Sequence, residues 1–274
     1  MIELPESHTL ATQLNATLKG KSIVAMVVNQ SPHKFAFYHG DPSSYPNRFI
    51  DTTFTGANAQ GGQVELAFDH QRLVISDGAN LRYHSDLSTV PAKHQLFMKF
   101  EDGSALTISI AMYGMIFGFE EGTFNNPYYL IAKTNPSVYS PEFSLDYFKG
   151  IVELAPPKLS LKALLATEQR IPGLGNGVLQ DILLLSKLHP KTKVSEVSET
   201  QWATLYTTLV NTLTRMRDEG GRDTEKNLFG QPGGYRTLLS ANTLLEGCPE
   251  CGSELRKEPY MGGSIYFCPH CQSN

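Results

Sequence analysis

Cysteine is missing from the chain until Cys248, and all four cysteines fall between that position and Cys271. Everything before the last stretch is therefore without a disulfide framework and carries no redox signature. Long apolar runs are missing too. None reaches the roughly 20 residues of a spanning helix, so no membrane association is expected. The opening Met1-Ile-Glu-Leu-Pro-Glu6 has neither a basic n-region nor an apolar h-region, and the expected location is the cytoplasm. Positive charge is scarce: 23 Lys and Arg stand against 27 Asp and Glu, for a net charge of -4. That balance argues against a nucleic-acid binder held by whole-protein charge. Any nucleic acid would have to be gripped by cations gathered on one face or by backbone N–H groups. There is no internal repeat.

What is present is most concentrated at the end. Cys248-Pro-Glu-Cys251 and Cys268-Pro-His-Cys271 are separated by sixteen residues, the spacing of two knuckles that bring four thiolates around one structural Zn2+. Glu254 to Pro259 and Ser264 to Phe267 read as two short strands joined across Tyr260-Met261-Gly262-Gly263. A ribbon of that size buries too little to fold alone, so the metal must supply the folding free energy, with no position left open for water. Two disulfides or four free thiols are the alternatives.

At the other end, Leu10, Leu14 and Leu18 recur every fourth residue, with Ser7 as a candidate cap and Gly20 as a terminator. From Ser22 to about Leu130 the pattern changes to short strands: 22–28, 63–68, 72–76, 95–100, 105–110 and 115–119, a spacing that suggests a β-sandwich or barrel. Residues 131–157 read as a linker with one short helical segment. Helices follow over 160–167, 177–188 and 200–218, interrupted by the glycine-rich Arg170-Ile-Pro-Gly-Leu-Gly-Asn176. The expected organisation is α+β: an N-terminal β-sandwich with a leading helix over 1–130, the linker, a helical domain over 158–240 and the ribbon over 241–274.

The Gly173-Leu-Gly175-Asn176 turn has the makings of a phosphate site. Glycines admit close approach, the following helix offers its first N–H groups, and the Asn176 amide can donate. A plain interhelical turn is the alternative.

Three motifs in order, Glu3-Leu-Pro-Glu6, Ile171-Pro-Gly-Leu-Gly-Asn-Gly-Val-Leu-Gln-Asp181 and the four-cysteine ribbon, resemble the formamidopyrimidine-DNA glycosylase and endonuclease VIII (Fpg/Nei) family over nearly the whole chain. The resemblance implies a helix-two-turn-helix in the second domain, with damaged double-stranded DNA in the cleft between the lobes. The protein is then a nucleoid-associated bacterial-type monomer. It also implies that Gly173, Gly175 and Asn176 hold a phosphate with Lys162 as a second contact, that Tyr113 is an aromatic wedge, and that Arg222 on a polar loop contacts DNA. A solvated loop is the alternative for the last.

In the family an N-terminal proline amine attacks C1′ of a flipped nucleotide while the adjacent glutamate handles protons. An α-amine suits this because its usual pKa, about 7.7 to 8.0, leaves a reactive fraction at neutral pH. Here Ile2 stands at the proline position and should keep Met1 in place. The catalytic candidates are thus Glu3 and the Met1 amine, displaced by up to about 3.5 Å. Other positions depart as well: no lysine near Gly62-Gln63, Ala79 for a gap-filling methionine, Met112 for an arginine, and Gly263 for the ribbon's phosphate-clamping arginine. The function expected is a base-excision glycosylase acting on oxidised or otherwise damaged bases, with abasic-site (AP) lyase activity in doubt. The alternatives are a degenerate damaged-DNA binder and a ribbon protein that contacts another protein.

Overall fold

Leu10, Leu14 and Leu18 line the buried side of α1 (Leu4–Leu18), which ends where Gly20 turns the chain at φ +83°. The helix begins earlier than its leucine repeat suggests. Glu3, not Ser7, is its N-cap, and Ser7 lies inside the first turn, where its hydroxyl donates to Leu4 O and to Gly61 O at 2.9 and 2.6 Å. The structure, a computed structural model, describes residues 1–273.

Seven strands follow: β1 (Ile23–Val28), β2 (Ala36–Tyr38), β3 (Phe54–Gln60), β4 (Gln63–Phe68), β5 (Gln71–His84), β6 (Leu96–Phe100) and β7 (Ala105–Glu120), with the short helix α2 (Tyr45–Phe49) between β2 and β3. They form one sheet in the order β1-β6-β7-β5-β4-β3, and β2 adds in parallel to β7. The two long strands β5 and β7 run through both halves of this sheet. Leucines and phenylalanines of β4 and β6 therefore meet α1 in a single core. The stretches 105–110 and 115–119, which look separate in the sequence, are one strand. Its register with β5 shifts between Asp77 and Ala79: the single residue there, Gly78, faces three on β7, Ala111, Met112 and Tyr113, and a Cβ added to Gly78 would lie 2.5 Å from Tyr113 O. β3 shows no strand signal because Phe-Thr-Gly-Ala-Asn-Ala-Gln is poor in β-branched residues.

α3 (Pro127–Thr134) packs its Tyr129 on Val74 and Phe119 of the sheet, and the second lobe is helical: α4 (Leu145–Glu153), α5 (Leu161–Ala166), α6 (Asn176–Leu185) and α7 (Glu199–Asp218). The stretch over 131–157 is more than a tether, since Val138, Phe143 and Phe148 are buried in the helical core with Trp202, Leu205 and Leu209. Leu4 belongs to that same core while Leu10 and Leu14 belong to the other. The N-terminus thus sits where the lobes meet. The ribbon strands β8 (Arg256–Tyr260) and β9 (Gly263–Phe267) pair in antiparallel. Among the described residues no helix is long and apolar enough to cross a membrane.

Asp181 anchors the segment that leads from α7 to the ribbon. Its carboxylate, fully buried in α6, accepts from Leu238 N and Leu239 N, both at 2.9 Å, and from the Tyr235 hydroxyl at 3.1 Å. Burial pushes the Asp181 carboxyl up to about 6 despite those donors. The folded state then binds a proton more readily than the unfolded chain. The contribution of Asp181 to stability should fall as pH rises from about 4 to about 6, by on the order of 2 to 3 kcal/mol, and stay flat above. Asp181→Asn has no such titration. Denaturant unfolding of both proteins between pH 4 and 7 should give a difference that slopes through this window, and a level difference would contradict the assignment.

Candidate active site in the interlobe cleft

Glu3 is 4 % exposed and its carboxylate caps a helix on the other lobe. Gly177 N donates to Oε1 and Val178 N to Oε2, both at 2.9 Å, so the first turn of α6 is satisfied from α1's own cap residue. The N-cap of α6 is Gly175, which has no side chain to do this. A Cβ there would lie 2.5 Å from Glu3 Cδ. The glycine makes room for the carboxylate that replaces its missing cap.

The rest of the N-terminus is held from both sides. Ile2 N donates to Asp77 O at 2.7 Å on the sheet, and Leu4 N to Gly173 O at 2.9 Å on the helical lobe. The Met1 ammonium pairs with Glu225, and the Met1 sulfur lies 3.9 Å from the Tyr113 hydroxyl that donates to it. Gly62, in the β3–β4 turn, lies against Gly173, and a Cβ added to it would stand only 3.1 Å from Gly173 Cα.

Behind Glu3, Arg222 is 2 % exposed. Its Nε and Nη2 donate to Glu6 Oε1 and Oε2 at 3.0 and 2.7 Å, its backbone N donates to Oε1 at 3.1 Å, and its Nη1 lies 3.6 Å from Glu3 Oε2. Burial pushes both carboxyls up. Bidentate bonding to Arg222 reverses this at Glu6, which ends below the usual carboxylate range. At Glu3 burial prevails over Arg222 and the two N–H donors, and the neighbouring Glu6 charge adds to it, so its carboxyl stays above the usual range.

A cleft of about 560 Å³ between the lobes is lined by Met1, Glu3, Tyr113, Lys162, Gly173, Gly175 and Asn176, which gathers seven of the residues singled out in the sequence. Their local chemistry differs from the expectation in two respects. The α6 N–H groups of Gly177 and Val178 are taken by Glu3 and are closed to a phosphate. Asn176 Nδ2 donates to Ser264 O at 3.0 Å and Lys162 Nζ to Tyr260 O at 2.6 Å, so both side chains bind the ribbon to the hairpin while lining the cleft. Asn176 Oδ1 is buried without a partner. Tyr113 and its neighbour Met112 are exposed at the rim.

Arg222 is not a surface contact. Two carboxylates hold its guanidinium out of solvent, and Glu225 of the same loop faces the N-terminus rather than a ligand. The residues that sequence reasoning missed are Glu6 and Gly177. The signal available for Glu6 was its place three residues after an N-cap, from which its Oε2 accepts Glu3 N at 3.2 Å.

At the ribbon the four sulfurs of Cys248, Cys251, Cys268 and Cys271 all lie within 4.8 Å of one another, with Cys251–Cys268 at 3.5 Å and Cys248–Cys271 at 3.9 Å. Zinc–sulfur bonds of about 2.3 Å give tetrahedron edges of about 3.8 Å, whereas a disulfide needs about 2.05 Å. The donor set fits a structural zinc with all four positions filled by protein.

No family model matches the chain. It is 28 % identical over 286 aligned residues to a formamidopyrimidine-DNA glycosylase of Lactobacillus delbrueckii subsp. bulgaricus, and 26 % identical over 279 to one of Lactobacillus johnsonii, in each case across 99 % of both proteins. Its fold is similar to that of Lactococcus lactis Fpg bound to DNA containing an abasic site, with a TM-score of 0.85 at 23 % identity over 99 % of this chain and 100 % of that one. It is also similar to the MutM (Fpg) protein of Thermus thermophilus, with a TM-score of 0.81 at 22 % identity over 98 % of each.

Proposed function

The chain belongs to the formamidopyrimidine-DNA glycosylase and endonuclease VIII family, and from that premise we propose that it is a base-excision DNA glycosylase for damaged bases, with Glu3 as its reacting carboxylate. The observation that carries the reading is the Glu3 carboxylate on the wall of the interlobe cleft, at the head of α6. A nucleotide turned out of a duplex would lie in this cleft with its C1′ near that carboxylate. Glu3 would then take a proton from water as the water oxygen bonds to C1′, and the N-glycosidic bond would break with its electron pair leaving on the base. Burial suits the group to this work, because a carboxyl held above its usual range is a better base than a solvated one.

A second route uses the Met1 amine. Released from Glu225 and deprotonated, its nitrogen would add to the C1′ aldehyde of an abasic site and lose water to form an imine, which borohydride traps. The observation against it is the ion pair with Glu225, which turns the amine toward the 222–235 loop.

The test is incubation with duplexes carrying oxidised purines, oxidised pyrimidines or an abasic site. Base release without a borohydride adduct is expected, and Glu3→Gln should lower it at least a hundredfold, about 2.7 kcal/mol of barrier. A trapped adduct that maps to Met1 would select the amine route. Release unaffected by Glu3→Gln would remove Glu3 from the chemistry.

One feature favours a non-catalytic binder on the same scaffold. Among the described residues that line the cleft the sole Lys or Arg is Lys162, and its ammonium is already bonded to Tyr260 O. Few phosphates can then be neutralised there, and the salt slope of duplex affinity should be shallow. Absence of base release from every lesion, with Glu3-independent affinity for abasic duplex, would select that reading.

A further inference from the structure

We infer that Arg222 is a positioning residue: its buried guanidinium holds the Glu3 carboxylate in the cleft, and residue 177 is glycine because the guanidinium fills the space a side chain would take. The inference deepens the reading of Glu3 as the reacting group and rests on it.

The geometry is specific. Arg222 is clamped on Glu6 by three hydrogen bonds, from Nε, Nη2 and its own backbone N, which leaves Nη1 facing Glu3 Oε2 at 3.6 Å. Nη2 also lies 3.4 Å from Met1 O, to which it donates. A Cβ on Gly177 would stand 1.7 Å from Arg222 Nη1 and 2.9 Å from Glu3 Oε1, closer than any real Cβ contact. An arginine this buried is tolerated only where its charge is matched, and two carboxylates match it. The pair has the division of labour that a positioned base needs. Glu6 takes the bidentate bonds and fixes the guanidinium, and Glu3, left with one longer ionic contact and two backbone donors, keeps part of its basicity.

The groups that face Glu3 come from every element around it. They are Glu6 from α1, the Gly177 and Val178 N–H groups from α6 and Arg222 from the loop. Tyr113 from β7 completes the set, held above its usual range by burial and then by the charges of Asp77 on β5 and of Glu3. Glu225 faces Arg222 and the Met1 ammonium. Only Arg222 in this set is a cation close to the Glu3 carboxylate, so its removal leaves burial and like charge unopposed.

The test is the titration of the Glu3 side-chain carboxyl by 13C NMR in the full-length zinc-loaded protein, with Glu3→Gln to assign its resonance. In Arg222→Gln the Glu3 midpoint should rise by about one pH unit or more, about a tenfold change in proton affinity, and Arg222→Lys should restore most of it. A merely structural arginine would lower stability in both variants without separating them in this way. Gly177→Ala keeps the arginine but displaces it, and should shift the midpoint upward as well. Glu6→Gln removes the like charge and should lower the midpoint; this variant decides the question should the other two fail to fold. An unmoved midpoint in folded Arg222→Gln or Gly177→Ala, or an unmoved or raised one in Glu6→Gln, overturns the inference. Where base release is found, the acidic limb of its kcat/KM profile should move with the NMR midpoint. Where none is found, the enzymatic reading fails while the midpoint still decides the role of Arg222.

Discussion

Gly173→Ala is expected to cost about 3 to 6 kcal/mol and to loosen the junction of the two lobes. The residue sits at φ +81°, and an added Cβ would lie 2.2 Å from Gly62 N, 2.4 Å from Gly61 C and 2.9 Å from Gly62 Cα. All three atoms are backbone, so no side chain can rotate out of the way. The β3–β4 turn is itself committed, since Gly61 is at φ +57° and its carbonyl accepts from Ser7 Oγ. The left-handed backbone costs alanine about 1 to 2 kcal/mol. Overpacking adds about 1 to 3, and loss of the Leu4 N to Gly173 O bond adds about 1. A built-in control separates these effects. Gly20 has nearly the same φ, +83°, and a Cβ added there would meet nothing within 4 Å, so Gly20→Ala should show the backbone cost alone. Thermal unfolding should place the Gly173 variant about 10 °C below the wild type and the Gly20 variant within about 5 °C of it. Equal losses in the two would mean that the contact with Gly61 and Gly62 does not hold the lobes together.

Removal of zinc should have a comparable effect on the other side of the cleft. The ribbon contributes few buried apolar side chains, chiefly Leu255, Ile265 and Phe267, and of these Leu255 clusters with Leu184 and Leu239 of the helical lobe. Two five-residue strands with so little to bury have no independent stability, and binding of the metal is their folding free energy, on the order of 10 kcal/mol. Chelation should therefore release 256–267 to fast amide exchange while α6 and α7 stay protected. The bonds from Asn176 Nδ2 to Ser264 O and from Lys162 Nζ to Tyr260 O would go with it, so duplex affinity should fall at least about tenfold. Cys268→Ser should behave the same way. Protection of 256–267 that survives loss of the metal, verified by mass spectrometry, would show that packing rather than zinc holds the ribbon.

The ribbon and the principal helices were legible for the same reason: their determinants are local. Paired Cys-x-x-Cys motifs, a leucine every fourth residue and a glycine after the last turn each act over a few residues, and α1, α6, α7, β8 and β9 all lie where such signals point. Position 3 was legible as a candidate only through the family's motif. That its partners would be the N–H groups of Gly177 and Val178 was not, because the groups lie 174 and 175 residues apart. The same holds for Arg222 and Glu6, 216 residues apart. A polar loop between glycines suggests a solvated arginine, and only the counter-charges brought by α1 make burial tolerable. The glycines are the intermediate case. Their number around 173–177 marks a turn, but which atoms come close enough to forbid a side chain depends on the docking of two lobes.

Sequence by itself determined the metal ligands, the helical periodicities and the presence of a carboxylate next to the N-terminus, since each is a property of neighbours along the chain. Tertiary structure alone decided that this carboxylate faces a cleft, that Arg222 stands behind it and that Lys162 and Asn176 are spent on the ribbon. Burial and opposing charge have no meaning until distant segments meet, and those two quantities set what Glu3 can do.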